Sequence, residues 1–587
     1  MTRGVSRPPG EGSPQSALEM TLKTNGIGCG RPMTVPQRFS LGSGAQTLLG
    51  AVLFCFFMLT GSREKPWADA TPMYEVAEAL VSRGELNIPT PWPSNLHPGR
   101  GGKTYAIAPL LQSLQHVPGV LVRKLLVTIW PGSYELSLPF AAHFGPAALG
   151  ALAAVLFLSW CGFIGLGMRA SLLATVVLCS GTMIWVYARS PYSEGLQAVC
   201  FTAFTLQVAR ASQQASRKSA LWLGLTAALL INSKTVFALS VAGAAVWLVI
   251  VLWGQWPRVR SLVTWGSVTF IPVFALIPLY NWVRWGSPLH EGYDLSIPVF
   301  EEHLGLGLWG LFLSPGKSLF LYCPPLLVSI VALSRVWRRM RSFCVMALLV
   351  SGPVVLLYGK MLYWSGDYAW GPRYLTFVVP LLLLPSAVLL DDLLGSIHTV
   401  QERAQLWWAR FRIAVFAMVC VLGVFVQILG SAFYWDHYIR ITQDARDAWL
   451  GTPDRSGAPT PTVDGLCGAC FEDVHQLQWL PAFVPIEGHY WLLRHSFAND
   501  DWTKATADAP WSRYTKKPLY IENTYNRVRL DWWPIEFWQT GRGGMGVVLC
   551  LWLVLGATTA LWRLVPKLKA ANKRELHRSA TFFGPTA

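Results

Sequence analysis

The feature that most constrains this chain is a series of long apolar stretches set apart by connections rich in arginine and lysine. About 20 apolar residues cross the hydrocarbon core of a bilayer as a helix. Lipid offers no partner to an unpaired backbone group, so such stretches fold as helices. The sequence predicts about twelve of them: 45–61, 138–165, 171–188, 194–211, two short helices within 219–254 that break at Asn232-Ser233-Lys234, then 261–283, 318–335, 342–360, 374–394, 411–433 and 544–562. The fold class is therefore an all-α polytopic membrane protein, with a long first loop and a large last loop. Only 14 % of the 587 residues are charged, against about 25 % in soluble chains.

The net charge of +16 does not point to nucleic acid, because the basic residues lie between the spans. With a cytoplasmic N-terminus, one set of connections holds Arg169; Arg210, Arg217 and Lys218; Arg258 and Arg260; Arg335, Arg338, Arg339 and Arg341; Arg403, Arg410 and Arg412. Every one is basic, as the positive-inside rule requires of cytoplasmic loops. This predicts a multi-pass protein of the cell (inner) membrane with both termini in the cytoplasm. The first apolar run follows a long polar lead and lacks a small-residue cleavage site, so it reads as an uncleaved span. The expected organisation is a disordered cytoplasmic segment at 1–44, a transmembrane module at 45–433 containing the first external loop 62–137, an external region at 434–543, a last span at 544–562 and a basic tail at 563–587.

The opposite face collects the acidic and polar-aromatic residues. ATP and nucleotide sugars are absent there, so an enzyme on that face needs a lipid-borne activated donor or no energy input. Asp69 leads the candidates. It follows the first span directly, ahead of Pro72 and a helical apolar pattern at Met73, Val76, Ala77, Leu80 and Val81. It either caps that helix or serves as a general base at the lipid–water boundary. Glu75 and Glu78 read as a solvated face. Lys103 and Tyr105 stand near the membrane surface. Arg189 and Glu194 flank a proline turn, an arrangement that clamps a polar head group or marks the interface. Lys234 sits inside an apolar run, where an ionisable side chain is costly and is a functional candidate by default. Lys317 closes a Ser314-Pro315-Gly316-Lys317 turn whose amides could face an anion. Asp367, Trp370 and Arg373 crowd one span entrance, and an arginine can hold a phosphate by two parallel hydrogen bonds. Cys467 and Cys470 fit a disulfide in an oxidising compartment. The sequence contains no pair of Cys/His clusters of the zinc type.

With these residues placed, the chain resembles membrane glycosyltransferases of the GT-C fold that use polyprenyl-phosphate sugars. They are the protein mannosyltransferase and aminoarabinose transferase type of glycosyltransferase family 39. The likeness covers roughly 60–395. It lies in Asp69–Gly84, the turn at Tyr192–Glu194, the run 284–288, the run 314–322 and Trp370-Gly371-Pro372-Arg373-Tyr374. The resemblance implies sugar transfer to an acceptor glycan, lipid or protein outside the cytoplasm, with Asp69 as the acid that activates the acceptor. It implies no certain cofactor, and a divalent metal is compatible with the class. Two positions depart from the pattern. Ala70 stands where an acidic pair is common, and Ile107 stands where a lysine often follows the tyrosine that matches Tyr105. Lys103, Arg189, Lys234, Lys317 or Arg373 would then have to hold the phosphate. The alternatives are a transporter or flippase of lipid-linked sugars and a non-catalytic relative. A transporter of this size usually shows internal repeats, and the sequence has none.

Overall fold

The computed structural model describes residues 41–66, 69–88, 96–292, 299–366, 369–399, 402–435, 438–439, 441–442, 445, 477–498, 509–512 and 530–582. Asp367, Cys467 and Cys470 lie outside them, as does nearly all of the N-terminal segment.

The chain is a helical multi-pass membrane protein. Helix α1 (Ser43–Leu59) leads to α2 (Ala70–Arg83), a hairpin of β1 (Leu96–Pro98) and β2 (Thr104–Ala106), and α3 (Val117–Ile129). The bundle continues with α4 (Phe144–Phe163), α5 (Met168–Gly181), α6 (Glu194–Gln213), α7 (Arg217–Ser233), α8 (Ala238–Val251) and α9 (Trp256–Phe274). After α10 (Leu304–Leu313) come α11 (Pro325–Arg339), α12 (Arg341–Gly359), α13 (Val379–Thr399) and α14 (Arg403–Ala432). The last elements are α15 (Pro485–Ala498), α16 (Trp533–Gln539) and α17 (Gly543–Phe582).

Among the described residues, six helical stretches are by themselves long and apolar enough to cross a bilayer: Ser137–Phe163, Trp256–Trp285, Arg341–Gly359, Arg373–Ile397, Arg403–Ala432 and Gly543–Glu575. The other expected spans form helices that are shorter or more polar. Helix α6 is 20 residues long but carries Glu194, Gln197, Thr202 and Thr205, all buried. Helices shielded from lipid by their neighbours can carry such groups, because the hydroxyls find partners: Thr202 Oγ1 donates to the Ala198 carbonyl at 2.7 Å.

The expected break at Asn232-Ser233-Lys234 is present. Lys234 adopts extended backbone angles that end α7, and Asn232 Nδ2 donates to the carbonyls of Ala228 and Val273. A short 3-10 turn, Thr235–Phe237, then starts α8. Helices α7 and α9 cross where Gly224 meets Gly266; a side chain at Gly224 would run into the Gly266 carbonyl. Small residues let helices approach this closely, which supplies packing energy that lipid cannot. The central core lies between α4, α6, α12 and α13, with Trp160, Phe201, Phe237, Phe343 and Phe377 among its members.

Elements also form in stretches expected as loops, among them α10 and α15. Helix α10 falls between 284 and 317. Helix α15 packs on α14 through a separate apolar cluster that includes Phe433, Tyr438, Leu477, Trp491 and Trp511.

Candidate functional site

The first loop brings Asp69 to one end of the bundle. Its backbone sits at the N-cap position of α2, but in helical geometry and with no side-chain capping bond. Its carboxylate instead meets Arg373, with Nη1 to Oδ2 at 3.1 Å. Of the two readings open in the sequence, capping is thus excluded. Arg373 opens the 3-10 turn Arg373–Val378 that leads into α13. Gly366 clears the space for it: its φ is +69°, and a Cβ there would lie 2.7 Å from Arg373 Cγ.

Arg373 also reaches Glu194, the first residue of α6, with Nε to Oε1 at 3.9 Å. The Glu194 side chain is 7 % exposed, while that of Asp69 is 46 % exposed. Glu194 therefore faces the interior and Asp69 the surface. Lys234 approaches from the α7–α8 break. Its ammonium lies 5.0 Å from the ring centre of Tyr374 and 5.3 Å from that of Tyr358. The two tyrosine rings stack on each other at 5.0 Å. Arg373 Cζ stands 5.1 Å from the centre of the same Tyr374 ring, so both cations lie against one tyrosine. A ring face attracts cations through its quadrupole. The fields of Lys234 and Asp69 both reach Glu194. Glu194 Oε2 and Tyr358 Oη are buried with no hydrogen-bond partner among the described residues.

Four sequence candidates thus converge: Asp69, Glu194, Lys234 and Arg373. The other described candidates sit elsewhere. Arg189 is 2 % exposed and pairs with Asp531 at 3.1 Å. Lys317 is fully buried and donates to the Ala369 carbonyl. Trp370 packs between Tyr322 and His489 at 4.9 and 4.8 Å, in the core. Lys103 lies on the hairpin, half exposed, 3.8 Å from Glu85. Tyr105 packs edge-on against Trp285 at 6.0 Å. The Ser314–Lys317 turn does not present its amides to an anion. The Gly316 amide donates to Gln478 O, that of Lys317 to Ser314 Oγ and that of Ser318 to Ser314 O.

Glu75 and Glu78 do not form a solvated face either. Glu78 binds Arg123 at 3.0 Å and accepts from Tyr134 Oη at 2.9 Å. Glu75 is half-buried, and burial first, then the nearby Glu78, hold its carboxyl above the ordinary range. His116, buried beside Tyr74, is driven down to about 3 by burial and by His143, so it stays neutral.

Three residues with notable contacts are not among the candidates singled out in the sequence. Tyr358 ends α12 as one of many aromatics at span ends, and nothing in its neighbours marks it. Arg284 is 2 % exposed and donates from Nη1 to the carbonyls of Ala106, Ile107 and Ala108 at 2.6, 2.9 and 3.3 Å. It holds the backbone of the segment in which Ile107 replaces the expected lysine. Asp531 came from a loop with no readable pattern. Among the described residues no group of three His, Cys, Asp or Glu could hold a metal ion. Between Asp69 and Glu194 the Arg373 guanidinium already supplies the positive charge.

The fold and site define an integral-membrane protein with a cluster of charged and aromatic side chains at one end of its helices. No protein-family model matches the chain, and no curated protein sequence does. Solved structures do. The chain is similar to ArnT from Cupriavidus metallidurans bound to undecaprenyl phosphate, at 14 % identity and a TM-score of 0.42, over 82 % of this chain and 86 % of that one. It is also similar to the apo state of ArnT from Cupriavidus metallidurans, at 15 % identity and a TM-score of 0.40, over 73 % and 84 %. A likeness this distant leaves residue roles to be argued from the chain's own geometry.

Proposed function

We propose that the protein is an integral-membrane glycosyltransferase. It moves a sugar from a polyprenyl-phosphate donor to an acceptor hydroxyl at the extracytoplasmic end of the bundle. In this reading it resides in the cell (inner) membrane with both termini in the cytoplasm. The observation that carries the reading is the Asp69–Arg373 pair at 3.1 Å with Glu194 and Lys234 beside it. One exposed carboxylate and two fixed cations are what displacement of a phosphate by an alcohol requires.

The acceptor oxygen attacks the anomeric carbon as the bond from that carbon to the phosphate oxygen breaks. The phosphate leaves with the electron pair, and Arg373 and Lys234 stabilise the charge it gains. A guanidinium has five N–H donors, so Arg373 can take phosphate oxygens without releasing Asp69 altogether. Asp69 accepts the acceptor's proton, a contribution of typically ~10²–10⁴-fold. Attack opposite the phosphate inverts the anomeric centre. Tyr358 and Tyr374 supply apolar faces for the sugar or the first isoprene unit. Glu194 holds Arg373 from behind. Arg189, Lys317 and Trp370, engaged within the protein, take no part in binding.

The test is transfer from radiolabelled polyprenyl-phosphate sugars in membranes, wild type against Asp69→Asn. Transfer by the wild type that falls at least ~10²-fold in the variant at equal protein level supports the assignment. Equal transfer by both removes Asp69 from the mechanism. Absence of transfer from every donor overturns the reading.

A further inference from the structure

The structure assigns Asp531, in the last external region, a positioning role for the catalytic acid. This rests on the reading that Asp69 and Arg373 carry sugar transfer. The C-terminal end of α1 leaves its last carbonyls without helical partners, as every helix does. Here four consecutive carbonyls are taken by residues distant in sequence. Trp533 Nε1 donates to Met58 O at 2.7 Å and Trp532 Nε1 to Leu59 O at 2.6 Å. Arg189 Nε donates to Thr60 O at 2.5 Å, and the Trp533 amide to Gly61 O at 3.2 Å.

Asp531 ties the next residues to the same knot. Its Oδ1 accepts from Ser62 Oγ at 2.5 Å and from the Arg63 amide at 2.9 Å. Its Oδ2 pairs with Arg189 at 3.1 Å, and both side chains are almost fully buried. The Ser62 amide in turn donates to Arg189 O at 3.4 Å, and the Glu64 amide to Ser62 Oγ at 3.1 Å. Arg63 adds a pair with Glu536 on α16 at 2.6 Å.

The two segments joined this way each precede a residue of the site. Ser62–Glu64 precede Asp69, and Pro66 O accepts from Thr71 Oγ1 at the start of α2. Arg189 precedes Glu194, and Ser190 Oγ is fixed to Val186 O at 2.7 Å. One buried carboxylate therefore sets the spacing between the segments that precede Asp69 and Glu194, the two acids on either side of Arg373. Asp531 touches none of the reacting groups. It acts through the placement of Asp69, and a misplacement of 1 Å can cost ~10²-fold in rate.

The experiment uses the full chain in lipid nanodiscs, with a polyprenyl-phosphate sugar as donor. Asp531→Asn is compared with wild type and with the double variant Arg189→Met/Asp531→Leu. Replacing a buried ion pair by apolar side chains is often neutral for stability, so the double variant separates folding from positioning. Transfer kinetics, thermal stability and amide hydrogen exchange over 61–66 are read together. Asp531→Asn is expected to speed exchange over 61–66 and to lower kcat by ~10–10²-fold, with KM for the donor little changed. The double variant recovers stability but not kcat. Turnover that returns with stability, or normal kcat despite fast exchange, overturns the proposal. If the wild type transfers no sugar, the parent reading fails and exchange alone decides: faster exchange in Asp531→Asn supports the tether, and unchanged exchange refutes it.

Discussion

Removing Arg373 separates what the site owes to stability from what it owes to chemistry. Its two acidic partners differ in weight. The Asp69 side chain is 46 % exposed, and an ion pair so open to water is worth about 0–1 kcal/mol. Glu194 is 7 % exposed at 3.9 Å. Stranding a buried carboxylate by deleting its partner costs about 3–5 kcal/mol. Lys234 still acts on Glu194, so Arg373→Met should fall at the lower edge, about 3 kcal/mol. Nearly all of that loss comes from Glu194. The double variant Arg373→Met/Glu194→Gln should therefore recover most of the stability. It should not recover catalysis, because in the proposed reaction the donor phosphate has then lost a fixed cation, a loss of about 10²–10³-fold. Arg373→Lys keeps the charge but not the fork. It should be as stable as wild type and about tenfold slower, intermediate between the two. The assay is thermal unfolding in detergent beside initial rates of transfer from a labelled polyprenyl-phosphate sugar. A double variant that transfers at the wild-type rate would refute the role of Arg373. An equal stability loss in the single and double variants would refute the claim that Glu194 is its buried dependant.

Two further outcomes follow from groups outside the site. Glu75 is held above the ordinary carboxylate range by burial and by Glu78. Its folded state thus favours the protonated form, and stability falls as pH rises through the raised value. Glu75→Gln should unfold at a higher temperature than wild type at about pH 8 and at the same temperature near pH 4, below the ordinary glutamate value; the reverse trend would contradict the assignment. Gly430 lies against Trp370, where an added Cβ would sit 2.5 Å from Nε1. Gly430→Ala should destabilise by about 1–3 kcal/mol, the usual cost of overpacking, measured by thermal unfolding.

The scaffold was legible because apolarity and loop charge are properties of contiguous sequence. The break at Asn232–Lys234 is an example: three polar residues in an apolar run end a helix, and they do so in the structure. The site was legible only in part. Asp69 stood out by its place after the first span. Its carboxylate pairs with Arg373 instead of capping α2, and that partner lies 304 positions away. Lys234 and Arg373 carried a local signal, a charge against an apolar background. Arg189 and Lys317 carried the same signal, yet both are engaged with the protein itself. A buried cation looks alike in sequence whether its partner is a ligand or a neighbouring loop. Asp531 and Tyr358 show the converse, since their partners are all distant and no local pattern marks them.

The site's charges also bear on how the proposed reaction is kept in check. The site sets two carboxyl groups, Asp69 and Glu194, against two cationic side chains, Arg373 and Lys234. The Asp69 carboxylate is paired with Arg373 at 3.1 Å. In the proposed reaction a donor phosphate entering between the cations competes for the same guanidinium. As Arg373 turns part of its hydrogen bonding to phosphate, the Asp69 oxygen it held becomes available to the acceptor hydroxyl. Proton acceptance by Asp69 is thereby coupled to donor occupancy, because the carboxylate meets the hydroxyl when a sugar is in place to be attacked. Glu194 matters to this exchange for a different reason. Being buried, it cannot follow the phosphate, and it keeps Arg373 at the junction of the two acids while the guanidinium changes partners.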